Sequence, residues 1–299
     1  MQAEQRIVVG FDGSDEARLA VRWAANLAVA EGRGLHLVHC WLWPLFTHDL
    51  GPVEGVAGSG LRHSAEAIIE DGVAEARTVA PALDIKTSLV TGSASYVLEE
   101  ISRQQRMLVV GSRGIGGFLG LLVGSVSLQL AVTAKCPVAV LRSAGNTNGP
   151  VVVGVDGSAE SNMALDDACG LAGLWDAPLK ILHVQKSMGR FGRGKLTADA
   201  ETEAKAILDD AVSRARAHAA DVPVQEELVL KTSPPGALVE ASQNARILVV
   251  GAKGKGEFAG NVGSTAHAVL HHAAGPVLVS RRGTVGEAGE GGSGGLPRS

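Results

Sequence analysis

The chain carries the same strand-and-loop signals twice, in the same order. Ile7-Val8-Val9-Gly10-Phe11-Asp12-Gly13-Ser14 returns 144 residues later as Val151-Val152-Val153-Gly154-Val155-Asp156-Gly157-Ser158. Leu37-Val38-His39 returns as Ile181-Leu182-His183 at the same distance. Met107-Leu108-Val109-Val110-Gly111 returns after 140 residues as Ile247-Leu248-Val249-Val250-Gly251. Pro137-Val138-Ala139-Val140 returns after 139 residues as Pro276-Val277-Leu278-Val279. A spacing near half of the 299-residue length marks a duplicated domain. Solenoid units recur far more often, every 20–50 residues or so. Whatever this sequence folds into, it folds into it twice.

Within each copy, short runs rich in Val, Leu and Ile alternate with helical patterns. The first copy predicts strands at 6–11, 34–40, 84–90, 106–111 and 137–142, with helices at 15–31, 61–80, 94–103 and 125–134. The second predicts strands near 150–155, 179–184, 224–230, 246–251 and 276–281. Continuous apolar strands are those covered on both faces. Strands alternating with helices give a parallel sheet with right-handed crossovers. The expected fold class is α/β, with two tandem doubly wound parallel-sheet domains of five strands each. Residues 1–144 and 151–282 form these domains. The turn-forming run 145–150 is read as a linker, and the Gly-rich stretch 283–299 as a disordered tail. Pro234-Pro235 opens the third helix of copy two, where the first turn tolerates proline.

Composition narrows the function classes. Forty-five per cent hydrophobic residues and a net charge of −4 exclude a disordered chain and disfavour a nucleic-acid binder, which needs clustered positive charge. Four Trp, one Tyr and five Phe leave little surface for stacking bases. Cys40, Cys136 and Cys169 lack CxxC spacing, which suits a reducing cytosol. The apolar run Ile7 to Val9 is too short for a signal-peptide core, so a cytoplasmic location is expected. Gly117 to Ala134 has no charge, but its Gly, Ser, Gln and Thr suit a glycine loop entering a buried helix better than a membrane span.

The chemistry concentrates in glycine loops. Val110-Gly111-Ser112-Arg113-Gly114 is followed by nine residues and then Gly124-Ser125-Val126-Ser127. The run leaves a buried strand and enters a helix, and ligands of open α/β sheets bind outside the strands' carboxyl ends. Glycines let backbone approach a phosphate closely. Amides at the helix start, with the Ser125 hydroxyl, would hold its oxygens. No GxxxxGK[ST] and no GxGxxG occurs, so this is neither a Walker nor a dinucleotide motif. Asp12 and Asp156 follow the first strand of each copy. Such a carboxylate can meet a ribose or a metal, or it can serve in helix capping together with Ser14 and Ser158.

The VGxDGS start and the GxxGx9GS loop resemble the universal stress protein family in its tandem form, over nearly all of residues 5–282. The loop resembles that of the ATP-binding branch. The resemblance implies a sheet of order 3-2-1-4-5 in each domain, pairing through the last strand within one chain or between two, and a role in stress tolerance or growth arrest. It implies ATP as ligand; Mg²⁺ enters as the ion that any catalysis would need Asp12 or Asp156 to position. In copy one it places Gly10, Phe11 and Asp12 at the ribose side and the backbone of Cys40 at the adenine. Val110, Gly111, Arg113 and Gly114 border ribose and phosphates, and Gly124, Ser125 and Val126 bind the phosphates. The matching residues of copy two are Gly154, Val155, Asp156 and Val184, then Val250, Gly251, Lys253 and Gly254, and finally Gly263, Ser264 and Thr265. Copy two departs by having eight residues between Gly254 and Gly263, and by carrying Lys255 and Glu257 after Lys253 in place of the apolar run of copy one.

Other candidates are weaker. His267 and His271 stand four apart and could chelate a metal with His272 nearby, but no HExxH occurs, and a polar helix face is the expectation. His39 and His183 recur at matched strand ends and are expected to be buried beside the adenine pocket. The loop 41–60, with Trp41, Trp43 and Phe46, reads as a lid, a partner surface or a local plug. The basic run Lys186 to Lys195 reads as a solvated loop or a phosphate-attracting lid. No GxSxG elbow is present. A non-enzymatic ATP-binding regulator is therefore expected, with a slow Mg²⁺-dependent ATPase or phosphotransferase as alternative and a nucleotide-free scaffold as the third.

Overall fold

A computed structural model describes residues 5–41, 57–115, 122–186, 197–231, 233–255 and 263–282. Most of the loop expected at 41–60, most of the basic run and the Gly-rich tail lie outside these residues. The first half runs β1 (Ile7–Gly10), α1 (Asp15–Ala30), β2 (Leu35–Trp41), α2 (Ala57–Val79), β3 (Ile85–Thr91), α3 (Ala94–Ser102), β4 (Met107–Gly111), α4 (Ser125–Thr133) and β5 (Val138–Leu141). The second half repeats it as β6 (Val151–Val155), α5 (Ala159–Leu174), β7 (Leu179–Lys186), α6 (Ala198–His218), β8 (Val224–Lys231), α7 (Pro234–Ser242), β9 (Ile247–Gly251), α8 (Ser264–His272) and β10 (Val277–Ser280).

All ten strands join one sheet of order β3-β2-β1-β4-β5-β10-β9-β6-β7-β8. The first half has the order 3-2-1-4-5, and the second half has the same order running the opposite way. Every pairing is parallel except one. β5 and β10 meet antiparallel, with Val140 opposite Val277 and Val138 opposite Val279. All residues of these two strands are buried. Each half alone would expose a bare apolar edge, and pairing the two removes it. The sheet's outer edges, β3 and β8, contain no fully buried residue and carry Lys86, Glu226, Glu227 and Lys231.

Two apolar layers sandwich the sheet. One packs α1 and α5 over it and continues beneath α2 and α6; the other lies under α3, α4, α7 and α8. Trp23 of α1 meets Trp175 at the end of α5 edge to face, with ring centroids 6.0 Å apart. The run 145–150 is seated on the second half, where Asn146 N–H donates to Ala245 O at 3.1 Å.

Two boundaries differ from expectation by more than one residue. α2 starts at Ala57 rather than 61, because Gly58, Ser59 and Gly60 carry no helical signal. β7 extends through Gln185 and Lys186, which pair with Leu230 and Lys231; the ladder continues where the apolar run stops.

Candidate functional site

Each half opens a cavity at the carboxyl ends of its strands, about 470 Å³ in the first and 410 Å³ in the second. The first is lined by Gly10, Phe11, Asp12, Cys40, Val110, Gly111, Arg113, Gly114, Gly124, Ser125 and Val126. The second is lined by Gly154, Val155, Asp156, Val184, Val250, Gly251, Lys253, Gly254, Gly263, Ser264 and Thr265. Residues as distant in sequence as Gly10 and Ser125 thus converge, because β1 and β4 are neighbours in the sheet, as are β6 and β9.

Local chemistry explains the convergence. Ser14 and Ser158 cap α1 and α5, accepting from Ala17 N–H and Ser161 N–H. Asp12 Oδ1 accepts from the Ser14 N–H and hydroxyl at 3.0 and 2.7 Å, and its Oδ2 accepts from Ile115 N–H at 3.0 Å. Asp156 repeats this with Ser158 at 2.9 and 2.6 Å and Lys255 N–H at 2.9 Å. Each carboxylate therefore ties the loop after the fourth strand to the end of the first. Burial opposes the charged form of Asp156, but the bonds from Ser158 and Lys255 outweigh it and hold its pKa below the usual carboxylate value.

His39 and His183 are buried and fix the same corner. The Nδ1–H of His39 donates to Phe11 O at 2.7 Å and that of His183 to Val155 O at 2.8 Å. Gly111 and Gly251 are required by close approach. A Cβ at either position would sit 2.9 or 2.8 Å from the backbone carbon of Glu16 or Glu160.

The far end of each cavity is a helix start. Gly124 N–H donates to Ser112 O at 2.7 Å and Gly263 N–H to Ala252 O at 2.9 Å. Both glycines are N-caps and give no side-chain acceptor to the first-turn amides of α4 and α8. Such an end attracts an anion through its N–H groups and its dipole. At Gly124 a Cβ would meet nothing closer than 3.6 Å, so the protein itself does not demand glycine there.

The cavities differ in charge. Arg113 at the first is engaged by Glu16, with nitrogens 2.6 and 3.0 Å from one carboxylate oxygen. At the second, Lys255 Nζ lies 3.2 Å from Glu203. Among the described residues, Lys186 and Lys253 have no ion-pair partner there. Burial pushes the Cys40 thiol up to about 11, which removes it as a nucleophile.

Sequence reasoning missed part of the lining. Leu98 and Leu238 wall the two cavities at matched positions of α3 and α7, separated by the same interval as β4 and β9. That shared spacing was the available signal. Glu203 and Ile207 reach the second cavity from α6, where nothing local marks them. The rings of His267 and His271 lie 4.6 Å apart on α8, tilted by 43°, and among the described residues no group of three or more ligating side chains converges. No described helix is long and apolar enough to cross a membrane.

Comparisons with known proteins agree with this architecture. The sequence model of the universal stress protein family matches residues 4–142 and again 147–281. A universal stress protein of Mycobacterium tuberculosis is 34% identical over 310 residues, covering 94% of this chain and 97% of its own. A second from that organism is 32% identical over 286 residues, with 92% and 97% covered. The crystal structure of a universal stress protein from Archaeoglobus fulgidus superposes with a TM-score of 0.69 at 18% identity, covering 93% and 98%. A double match of the family model, and relatives aligned over almost their whole length, place this chain in the universal stress protein family.

Proposed function

We propose that this protein is a non-enzymatic, nucleotide-responsive regulator that holds an adenine nucleotide, ATP foremost, in each of its two domains. The observation that carries this reading is the repeated cavity. Corresponding residues of both halves enclose an apolar pocket on one side and an uncapped helix N-terminus on the other. A base fits the apolar end, beside Val38, Cys40 and Leu98 or beside Leu182, Val184 and Leu238. Phosphates fit the amides that follow Gly124 and Gly263, with Arg113 or Lys253 alongside.

The engagement of Asp12 and Asp156 favours binding over turnover. Both oxygens of each already accept protein hydrogen bonds, so neither carboxylate stands free as a general base. Mg²⁺ fits as an ion carried by the nucleotide's own phosphates, with Asp12 or Asp156 lining the same cavity; it would neutralise phosphate charge. The β5–β10 pair within one chain supports the intramolecular form of domain pairing, and sedimentation at monomer mass checks it. The expected output is stress tolerance or growth arrest through a protein partner that senses nucleotide load, in the cytoplasm.

Calorimetric titration of ATP into ligand-stripped protein tests the reading. Two sites with no phosphate release over hours are expected, and Gly124→Ala, which the fold accommodates, weakens one of them. Steady Mg²⁺-dependent release would favour the ATPase, and absence of binding at millimolar ATP would leave a scaffold.

A further inference from the structure

The two cavities are joined by one guanidinium. Arg142 follows β5 in the first half. Its Nη2 donates to Leu122 O at 2.8 Å, two residues before Gly124 on the first cavity's loop. The same Nη2 donates to Leu270 O at 3.0 Å, and Nη1 to Ala273 O at 2.5 Å. Both of those carbonyls belong to the carboxyl end of α8, whose amino end closes the second cavity. A nine-residue helix spans about 13 Å, so α8 joins the Arg142 contact at one end to the second cavity at the other. The reciprocal contact is simpler: Arg281 Nη1 donates to Ala131 O near the end of α4, at 2.6 Å.

Charge adds a second link. Burial first, and then the charge of Arg113 at the first cavity, weaken Arg142's hold on its proton. An anion bound beside Arg113 would offset that repulsion. Arg142, charged throughout, would then be held more firmly in its bridge between Leu122 O and the α8 carbonyls, an end where the helix dipole favours a cation. An α8 already fixed at one end has less order to lose when a ligand binds at the other.

We propose that Arg142 is a positioning residue shared by both sites, so that filling the first cavity tightens the second for the same nucleotide. The inference rests on the nucleotide reading above. Coupling of this kind is reciprocal, so it appears in the product of the two binding constants whichever site fills first.

The test is a cycle of ATP titrations on the full chain. Ser125→Phe puts an uncharged ring at the exposed start of α4 and blocks the first site without supplying an anion; Ser264→Phe does the same at α8. Each single-site constant comes from the variant in which the other site is blocked. The native product of constants should exceed the product of these two by about 5-fold or more. In the Arg142→Gln background that ratio should fall to about one, whereas Arg142→Lys, which keeps the charge, should retain part of it. A merely structural role would lower the melting temperature of Arg142→Gln and leave the ratio in place, which would overturn the proposal. So would a native ratio within about twofold of one, with both sites still binding. Native protein that binds no ATP at all would instead remove the nucleotide reading, and the coupling with it.

Discussion

The two cavities share a framework and differ in their loops. Both are held by the same Asp–Ser–amide tie, the same histidine-to-carbonyl bond and the same glycine pressed against a helix start. What surrounds the anion end is not shared. The first offers Arg113, already satisfied by Glu16, whereas the second offers Lys253 and Lys186. Duplication has kept the parts that close the backbone and changed the parts that meet a ligand's charge. The first site is therefore expected to be the more tolerant of phosphate number, and the second the more selective for a triphosphate.

The comparison can be broken most decisively at the helix starts. Ser125→Glu should cost the first site more than about 100-fold in ATP affinity, because like charges brought together cost several kcal/mol. It should leave the second site binding, weaker by no more than the coupling factor of about 5-fold; loss of both would show that they are not separable. The shared glycines come next. Gly111→Ala and Gly251→Ala should each lower unfolding free energy by about 1–3 kcal/mol, read by denaturant titration, because the added methyl meets backbone rather than a movable side chain. A Gly124→Ala control, whose added methyl meets nothing closer than 3.6 Å and which loses only the better N-cap, should cost about 1 kcal/mol or less.

A smaller effect separates the halves by pH. His36 on β2 is held down to about 4 by burial and by Lys86 and Arg6, and its Nε2 lies 2.8 Å from Ser88 Oγ. Its counterpart Lys180 instead pairs with Glu227 at 2.6 Å. A histidine whose folded pKa is lowered favours the neutral form in the fold. Its stabilisation is complete above the unfolded value near 6.5 and is lost as pH falls from there toward 4. Roughly 2 kcal/mol should disappear over that window, and His36→Gln should flatten it. The smallest expected effect is the sharpest test of loop divergence. Lys253→Gln should weaken second-site ATP about tenfold and AMP by less. Arg113→Gln should change the first site by only about 2-fold, since Arg113 must leave Glu16 to help.

Much of the fold is legible in the sequence because the repeat supplies a second reading of each element. Apolar runs such as Met107 to Gly111 and Ile247 to Gly251 mark central strands, and their shared glycine sits where the strand presses on α1 or α5. The Asp of each VGxDGS start stands out in the sequence, but its role is ambiguous there. In the fold, Asp12 bonds both Ser14 and the loop amide of Ile115, a contact across 103 residues that no local pattern encodes. Leu98 and Leu238 are hidden because an apolar helix residue looks the same facing a core or a pocket. The Arg142 bridge is invisible for a related reason. It depends on the antiparallel meeting of β5 and β10, which brings the end of one half against α8 of the other.

If the anion-ended cavities at α4 and α8 are the nucleotide sites, closing both helix starts must abolish binding. Equilibrium dialysis of labelled ATP against native chain and against the Ser125→Glu/Ser264→Glu double variant tests it directly. Two equivalents bound to the native chain and none to the folded double variant is the predicted result. ATP retained by the double variant, or none held by the native chain, would contradict it.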